Sequence, residues 1–323
     1  MKLSTFTKVM ATTALVAMTA TATLAADIAV IGGSNDDAFW NKIKKGLDDA
    51  TPAVVANGGS VNYLRLVNYD NFAPDVVQLI RTAISMEVDG LVIPDWVPEA
   101  EDPAIKEAIA AGITVILMNA GGADKARELG AINYVGNEEY PAGVAGGEYF
   151  ASHGQKNVLC VNTLPGATNT EARCKGVSDA ITAAGGKSTQ LPLPTTSFGD
   201  ATAVAEAIKA EILKDETIDG VITISAGDAD SAAIGIEQSG RAAAISLASF
   251  DMNEAGLARI KAGSQTFSID QQPYLQGYLS VSILASAIDF GTSLPTFPIL
   301  TGPGIVDASN IEATLAGVEK GAR

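Results

Sequence analysis

The sequence predicts an α/β protein built of two doubly wound, Rossmann-like parallel-sheet lobes. Three observations carry that expectation. Short Val/Ile/Leu runs alternate with Ala-rich amphipathic stretches, the pattern of strands connected by helices. The strand runs are apolar throughout, which suits strands covered on both faces of a parallel sheet. The alternation fills residues 27–135 and repeats over 138–250 with no long linker, so two similar halves meet at a tight crossover.

The elements follow in order. Lys2 and Lys8 form a short basic region, Ala11 to Leu24 is apolar or small, and Thr23-Leu24-Ala25 supplies small residues for signal cleavage, so residues 1–25 read as a signal peptide. The apolar part is too short and too rich in Ala and Thr to span a bilayer. The first half then reads as strand 27–31, helix 39–56, strand 61–66, helix 74–87, strand 90–93, helix 101–111, strand 114–118 and strand 132–135. The second reads as helix 138–152, strand 157–162, helix 170–184, strand 188–191, helix 200–213, strand 220–224, helix 228–239 and strand 244–249, followed by helix 253–262, strand 265–269 and helix 273–290. Gly58-Gly59, Gly112, Gly185-Gly186 and Gly240 stand where helices stop.

Beyond the leader, roughly 300 residues suit two domains of roughly 150 each. The 47% apolar content supplies a sizeable core, and the net charge of −16 argues against nucleic acid and anionic membrane as partners. No lipid-attachment Cys follows the leader, so the expected location is the periplasm, in free form. Cys160 and Cys174 are the two cysteines. In an oxidising compartment such a pair forms a disulfide, and the alternative is two small buried thiols. His153 is the only histidine and has no clustered partner, so no metal is expected.

In open parallel sheets ligands bind beyond the carboxyl ends of the strands, so those residues are candidates for a site. After 27–31 comes Gly32-Gly33-Ser34-Asn35-Asp36-Asp37-Ala38-Phe39-Trp40. The GxGxxG spacing is missing and two carboxylates would repel a pyrophosphate, so no dinucleotide cofactor is expected. Asp37 is also a natural helix cap, and Phe39 and Trp40 natural core residues. Together they suit a sugar, because carboxylates accept from hydroxyls and rings cover its C–H face. Asn119 follows 114–118, and Asn169 and Arg173 follow 157–162, four apart on one helix face. Phe198, Asp228, Asp251 and Gln271 follow the next four strands.

These residues, in this order, resemble the periplasmic sugar-binding proteins of the ribose/galactose type, members of the type I periplasmic binding protein family. The resemblance covers residues 26–323. It implies two lobes joined by a three-stranded hinge with crossovers near Gly136, Gln271 and Gly302, the first lobe being 26–136 plus 272–303 and the second 137–271 plus 304–323. It implies a ligand-binding set of Asp37, Phe39, Trp40, Asn119, Asn169, Arg173, Phe198, Asp228, Asp251 and Gln271, with Asp228 standing in for a family Asn that falls near Ser225 or Ala226. It further implies a monomer that closes on a small sugar or polyol, delivers it to the membrane permease of an ATP-binding-cassette importer and, in some members, docks a chemoreceptor. Ala120 stands where ribose binders carry an Arg, Ala167 falls on the galactose binder's His position, and the galactose binder's calcium loop is not visible. Two other readings stay open: a binder of an amino acid or furanone signal on the same fold, and an exported carbohydrate-active enzyme using Asp37 and Asp251. The export signal disfavours a transcription regulator of the same fold.

Overall fold

A computed structural model describes residues 25–294 and 296–323. The expected signal peptide lies outside the described residues, Ala25 excepted. The chain forms two six-stranded sheets of the same winding. The first contains β1 (Asp27–Gly32), β2 (Ser60–Arg65), β3 (Gly90–Ile93), β4 (Thr114–Met118), β5 (Asn133–Gly136) and β11 (Ile299–Leu300), in the order β11-β5-β4-β3-β1-β2, all parallel. The second contains β6 (Asn157–Asn162), β7 (Lys187–Pro192), β8 (Gly220–Thr223), β9 (Ser246–Phe250), β10 (Phe267–Asp270) and β12 (Gly304–Asp307), in the order β12-β10-β9-β8-β6-β7. Among the described residues, only β12 runs antiparallel to its neighbour.

Continuous apolar runs hold for the inner strands. Ile28, Val30, Leu91, Val92, Ile116 and Leu117 are fully buried because helices cover both faces. The edge strands β2 and β7 mix polar and apolar residues, since they are only partly covered. The helices are α1 (Ala38–Ala56), α2 (Phe72–Ser85), α3 (Pro98–Ala110), α4 (Gly122–Leu129), α5 (Glu139–Ser152), α6 (Thr168–Ala183), α7 (Ala201–Lys214), α8 (Ala226–Gln238), α9 (Glu254–Ala262), α10 (Pro273–Phe290) and α11 (Ile311–Val318). Helices α4 and α11 and strands β11 and β12 were not expected from the pattern. The two helices have only eight residues each, too few for a clear period, and the two strands are shorter still.

The chain passes between the sheets after β5, after β10 and between β11 and β12. Beside the crossings, each sheet has a pair of helices in reciprocal backbone contact. A Cβ on Gly46 of α1 would strike the Tyr274 carbonyl of α10, and one on Gly277 of α10 would strike the Ile43 carbonyl of α1. Gly143 of α5 and Gly176 of α6 meet the carbonyls of Arg173 and Tyr140 in the same reciprocal way. Cys160 on β6 is bonded to Cys174 on α6, with Cα atoms 5.6 Å apart. The bridge pins α6 to the sheet and stabilises the fold by roughly 3 kcal/mol on the chain-entropy account. Among the described residues, no helix is long and apolar enough to cross a membrane.

Candidate ligand-binding site

The carboxyl ends of both sheets face one crevice of about 380 Å³, lined in part by Asp37, Phe39, Lys42, Phe198, Asp228 and Asp251. A smaller inner recess of about 40 Å³ continues from it, walled by Asp37, Phe39, Trp40, Asn119, Asn169, Arg173, Phe198, Asp251 and Gln271, together with Tyr69 and Trp96. All ten candidate residues therefore meet at one place. Nine line the recess, and Asp228 lines the outer crevice.

The first sheet contributes mainly rings. Asp37 caps α1 by accepting from the Phe39 N–H at 3.0 Å, and its other oxygen accepts from the Tyr69 hydroxyl at 2.9 Å. The helix-cap and site readings of Asp37 are thus compatible. Burial raises the Asp37 pKa, against the lowering effect of the Tyr69 and Phe39 bonds. The Trp40 indole packs edge-on against Phe39 and Trp96, with centroids 5.3 and 5.4 Å away, and Tyr69 packs edge-on against Phe198 at 4.7 Å. Gly33 makes room for this cluster, because a Cβ there would overlap the Trp40 indole nitrogen and the Tyr69 hydroxyl.

The second sheet contributes mainly charge and amides. Arg173 is held by Glu139 through two bonds, Nε to Oε2 at 2.7 Å and Nη2 to Oε1 at 3.1 Å, and donates from Nη1 to the Ile224 carbonyl at 2.9 Å. Its guanidinium lies 4.6 Å from the Phe250 ring centre. Five N–H donors exceed these three bonds, so the fork retains donors for a ligand. Asp228 accepts from the Thr163 and Ser225 hydroxyls at 2.8 and 2.9 Å. Burial pushes its pKa up to about 6, the two hydroxyls oppose the rise, and the Asp37 charge adds to it. Asp251 accepts from the Gln271 amide at 2.6 Å. Burial raises its pKa to about 7, while Arg173 and the Gln271 bond pull it down.

Asn119, Asp251 and Gln272 have φ of 67°, 63° and 52°. Non-glycine residues in that region cost roughly 1–3 kcal/mol each and cluster at functional sites. Here the left-handed turns end β4 and β9 and begin α10 beside the crevice. Gln271 lies between them: its Oε1 is 3.5 Å from the Asn119 amide, and its carbonyl accepts from the Thr301 hydroxyl at 2.7 Å.

The two sheets touch across the crevice. The Thr168 N–H donates to the Trp96 carbonyl at 2.8 Å and its hydroxyl to the Asp95 carbonyl at 3.0 Å. The Lys42 ammonium donates to the Met252 carbonyl at 2.6 Å. Behind Trp96, whose N–H donates to Glu101 Oε2 at 2.7 Å, the carboxyls of Asp95 and Glu101 are fully buried. Burial and neighbouring carboxylates raise Asp95 to about 7 and Glu101 to about 8.

Tyr69, Trp96, Lys42 and Glu139 were not singled out from the sequence. Tyr69 and Trp96 lie just past β2 and β3, so the strand-end rule finds them. Glu139, three residues past β5, is found by the same rule, whereas Lys42 reaches the site only through a tertiary contact.

A family model described as a periplasmic binding protein domain matches residues 28–293. The chain belongs to that family. This periplasmic binding protein is 34% identical to a carbohydrate transporter from Acidothermus cellulolyticus 11B solved in complex with myo-inositol, with a TM-score of 0.83 over 92% of this chain and 99% of that one. An Agrobacterium vitis solute-binding protein with bound D-fucose shares the fold at 21% identity, with a TM-score of 0.78 over 90% of this chain and 98% of that one. A xylose/arabinose-binding protein of Sulfolobus acidocaldarius is 24% identical over 255 residues, which cover 74% of this chain and 62% of that protein.

Proposed function

We propose that this protein captures a small polyhydroxylated molecule, a monosaccharide or polyol, by hinge closure in the periplasm and delivers it unchanged to the permease of an ATP-binding-cassette importer. The observation that carries the reading is the convergence of hydroxyl-matching groups and ring faces from both sheets on one crevice. Asp37, Asp228 and Asp251 accept from hydroxyls, Asn119, Asn169 and Gln271 donate and accept, Arg173 donates, and Phe39, Trp40 and Phe198 cover a C–H face. The relative solved with myo-inositol supports the same ligand class. We assign the lobes as 26–136 plus 272–303 and 137–271 plus 304–323, with the chain crossings as the hinge.

Closure stabilised by ligand is a population shift, and contacts made to both lobes at once supply the difference in affinity that it needs. Hydrogen bonds to charged groups contribute about 1.5–3 kcal/mol each, so several of them plus ring contacts, less ordering costs, reach about −8 kcal/mol, or micromolar affinity. A thermal-shift screen of pentoses, hexoses and polyols, followed by calorimetry, tests the reading. A shift of several degrees with one compound family is expected. No response to any carbohydrate, with a response to an amino acid or furanone, would overturn it.

A further inference from the structure

The ionisable groups facing the crevice are Asp36, Asp37, Lys42, Asp228, Asp230, Asp251 and Asp270, with Arg173 in the inner recess. Several are already neutralised. Asp230 pairs with Arg259 at 2.6 Å, Asp270 with Arg323 at 2.9 Å, and Arg173 with Glu139 at 2.7 Å. Asp36 is exposed and screened by solvent. Three carboxylates remain, and neutral groups hold each of them: Phe39 N–H and Tyr69 on Asp37, Thr163 and Ser225 on Asp228, and Gln271 on Asp251. Among the described residues lining the crevice, Lys42 is the one cation outside an ion pair, and its ammonium is bound to the Met252 carbonyl.

Three carboxylates around one closing crevice, against one ammonium, leave it short of positive charge. Closure removes the water that screens them, so their repulsion grows. A neutral polyol satisfies the carboxylates as hydrogen-bond acceptors and leaves that imbalance in place. A ligand ammonium corrects it and adds charge-assisted bonds. Resting on the sugar or polyol reading above, we infer that the natural ligand is a polyhydroxylated molecule carrying an amino group, an amino sugar or aminocyclitol, whose ammonium sits among Asp37, Asp228 and Asp251.

The test is calorimetry on the purified protein near neutral pH with matched probes: glucose and glucosamine, galactose and galactosamine, myo-inositol and its amino-deoxy analogues. Each is measured in two buffers of different ionisation enthalpy, which reports protons taken up on binding. The expected result is one amino compound binding at least about tenfold tighter than its neutral parent, with almost no proton uptake. Asp228→Asn and Asp251→Asn should each lower affinity for both compounds and lower it more for the amino compound, so that the ratio between the two shrinks. If a neutral parent binds as tightly as its amino analogue and takes up about one proton, the inference is wrong and the sugar reading stands. Binding by neither class overturns both.

Discussion

The two lobes share a strand order and divide the work of the site. The β1, β2 and β3 ends bring Phe39, Trp40, Tyr69 and Trp96, whereas the β6, β8 and β9 ends bring Arg173, Asp228 and Asp251. Identical topology therefore does not dictate identical chemistry. The backbone places the strand ends, and the few residues after each strand decide what is presented there. The ring side is knit into its own core, with Trp40 only 3% exposed, while the polar side is held by hydrogen bonds that a conservative substitution can keep.

That difference can be broken from either side. The largest effect expected is on folding: Trp40→Ala should destabilise by about 3–5 kcal/mol, read as a lowered urea midpoint, because the indole fills the space between Phe39 and Trp96. A Trp40→Ala protein with the parent midpoint would show that the cluster is looser than its packing implies. Next, Asp251→Asn should weaken ligand binding by about 1.5–3 kcal/mol in calorimetry while leaving the melting temperature level or raised. The Asn can still accept from Gln271, and a buried charge is removed. Phe39→Ala should weaken binding by a smaller step, about 0.5–1.5 kcal/mol, since it loses a ring face and no charge.

A separate effect, on stability and not on binding, is on pH dependence. Asp95 and Glu101 behind Trp96 have pKa values raised to about 7 and about 8, so the folded protein holds protons that the unfolded chain releases from about pH 4 upward. Their contribution to stability is complete at low pH and is lost as pH rises through the folded values. Melting temperature should fall between pH 5 and 8, and Glu101→Gln should flatten the fall. An unchanged slope in that variant would separate the acidic pair from the stability of the ring wall.

Much of this was legible in the residues themselves. Inner strands announce themselves because both faces are dry, so β1, β3, β4, β6 and β8 needed no periodicity. The ten candidate residues follow from asking what stands after each strand. What local sequence cannot reveal is pairing at long range. Nothing near Glu139 says that it will grip Arg173, 34 positions away, and nothing near Asp37 says that Tyr69, 32 positions on, will donate to it. Helix α4 escaped for another reason: both Gly121 and Gly122 have positive φ, and glycines at a helix start read as a turn.

The reciprocal glycine contacts have a mechanical consequence. Each crossing that leads into a long helix is geared to a helix that carries the site: β10 feeds α10, which meshes with α1 and its Asp37, Phe39 and Trp40, and β5 feeds α5, which meshes with α6 and its Asn169 and Arg173. With backbone against backbone there is no side-chain slack between the gears. In the hinge closure proposed above, rotation at these crossings would carry α1 and α6 along with it, so that the grip on a ligand would be set at the pivot as much as at the teeth.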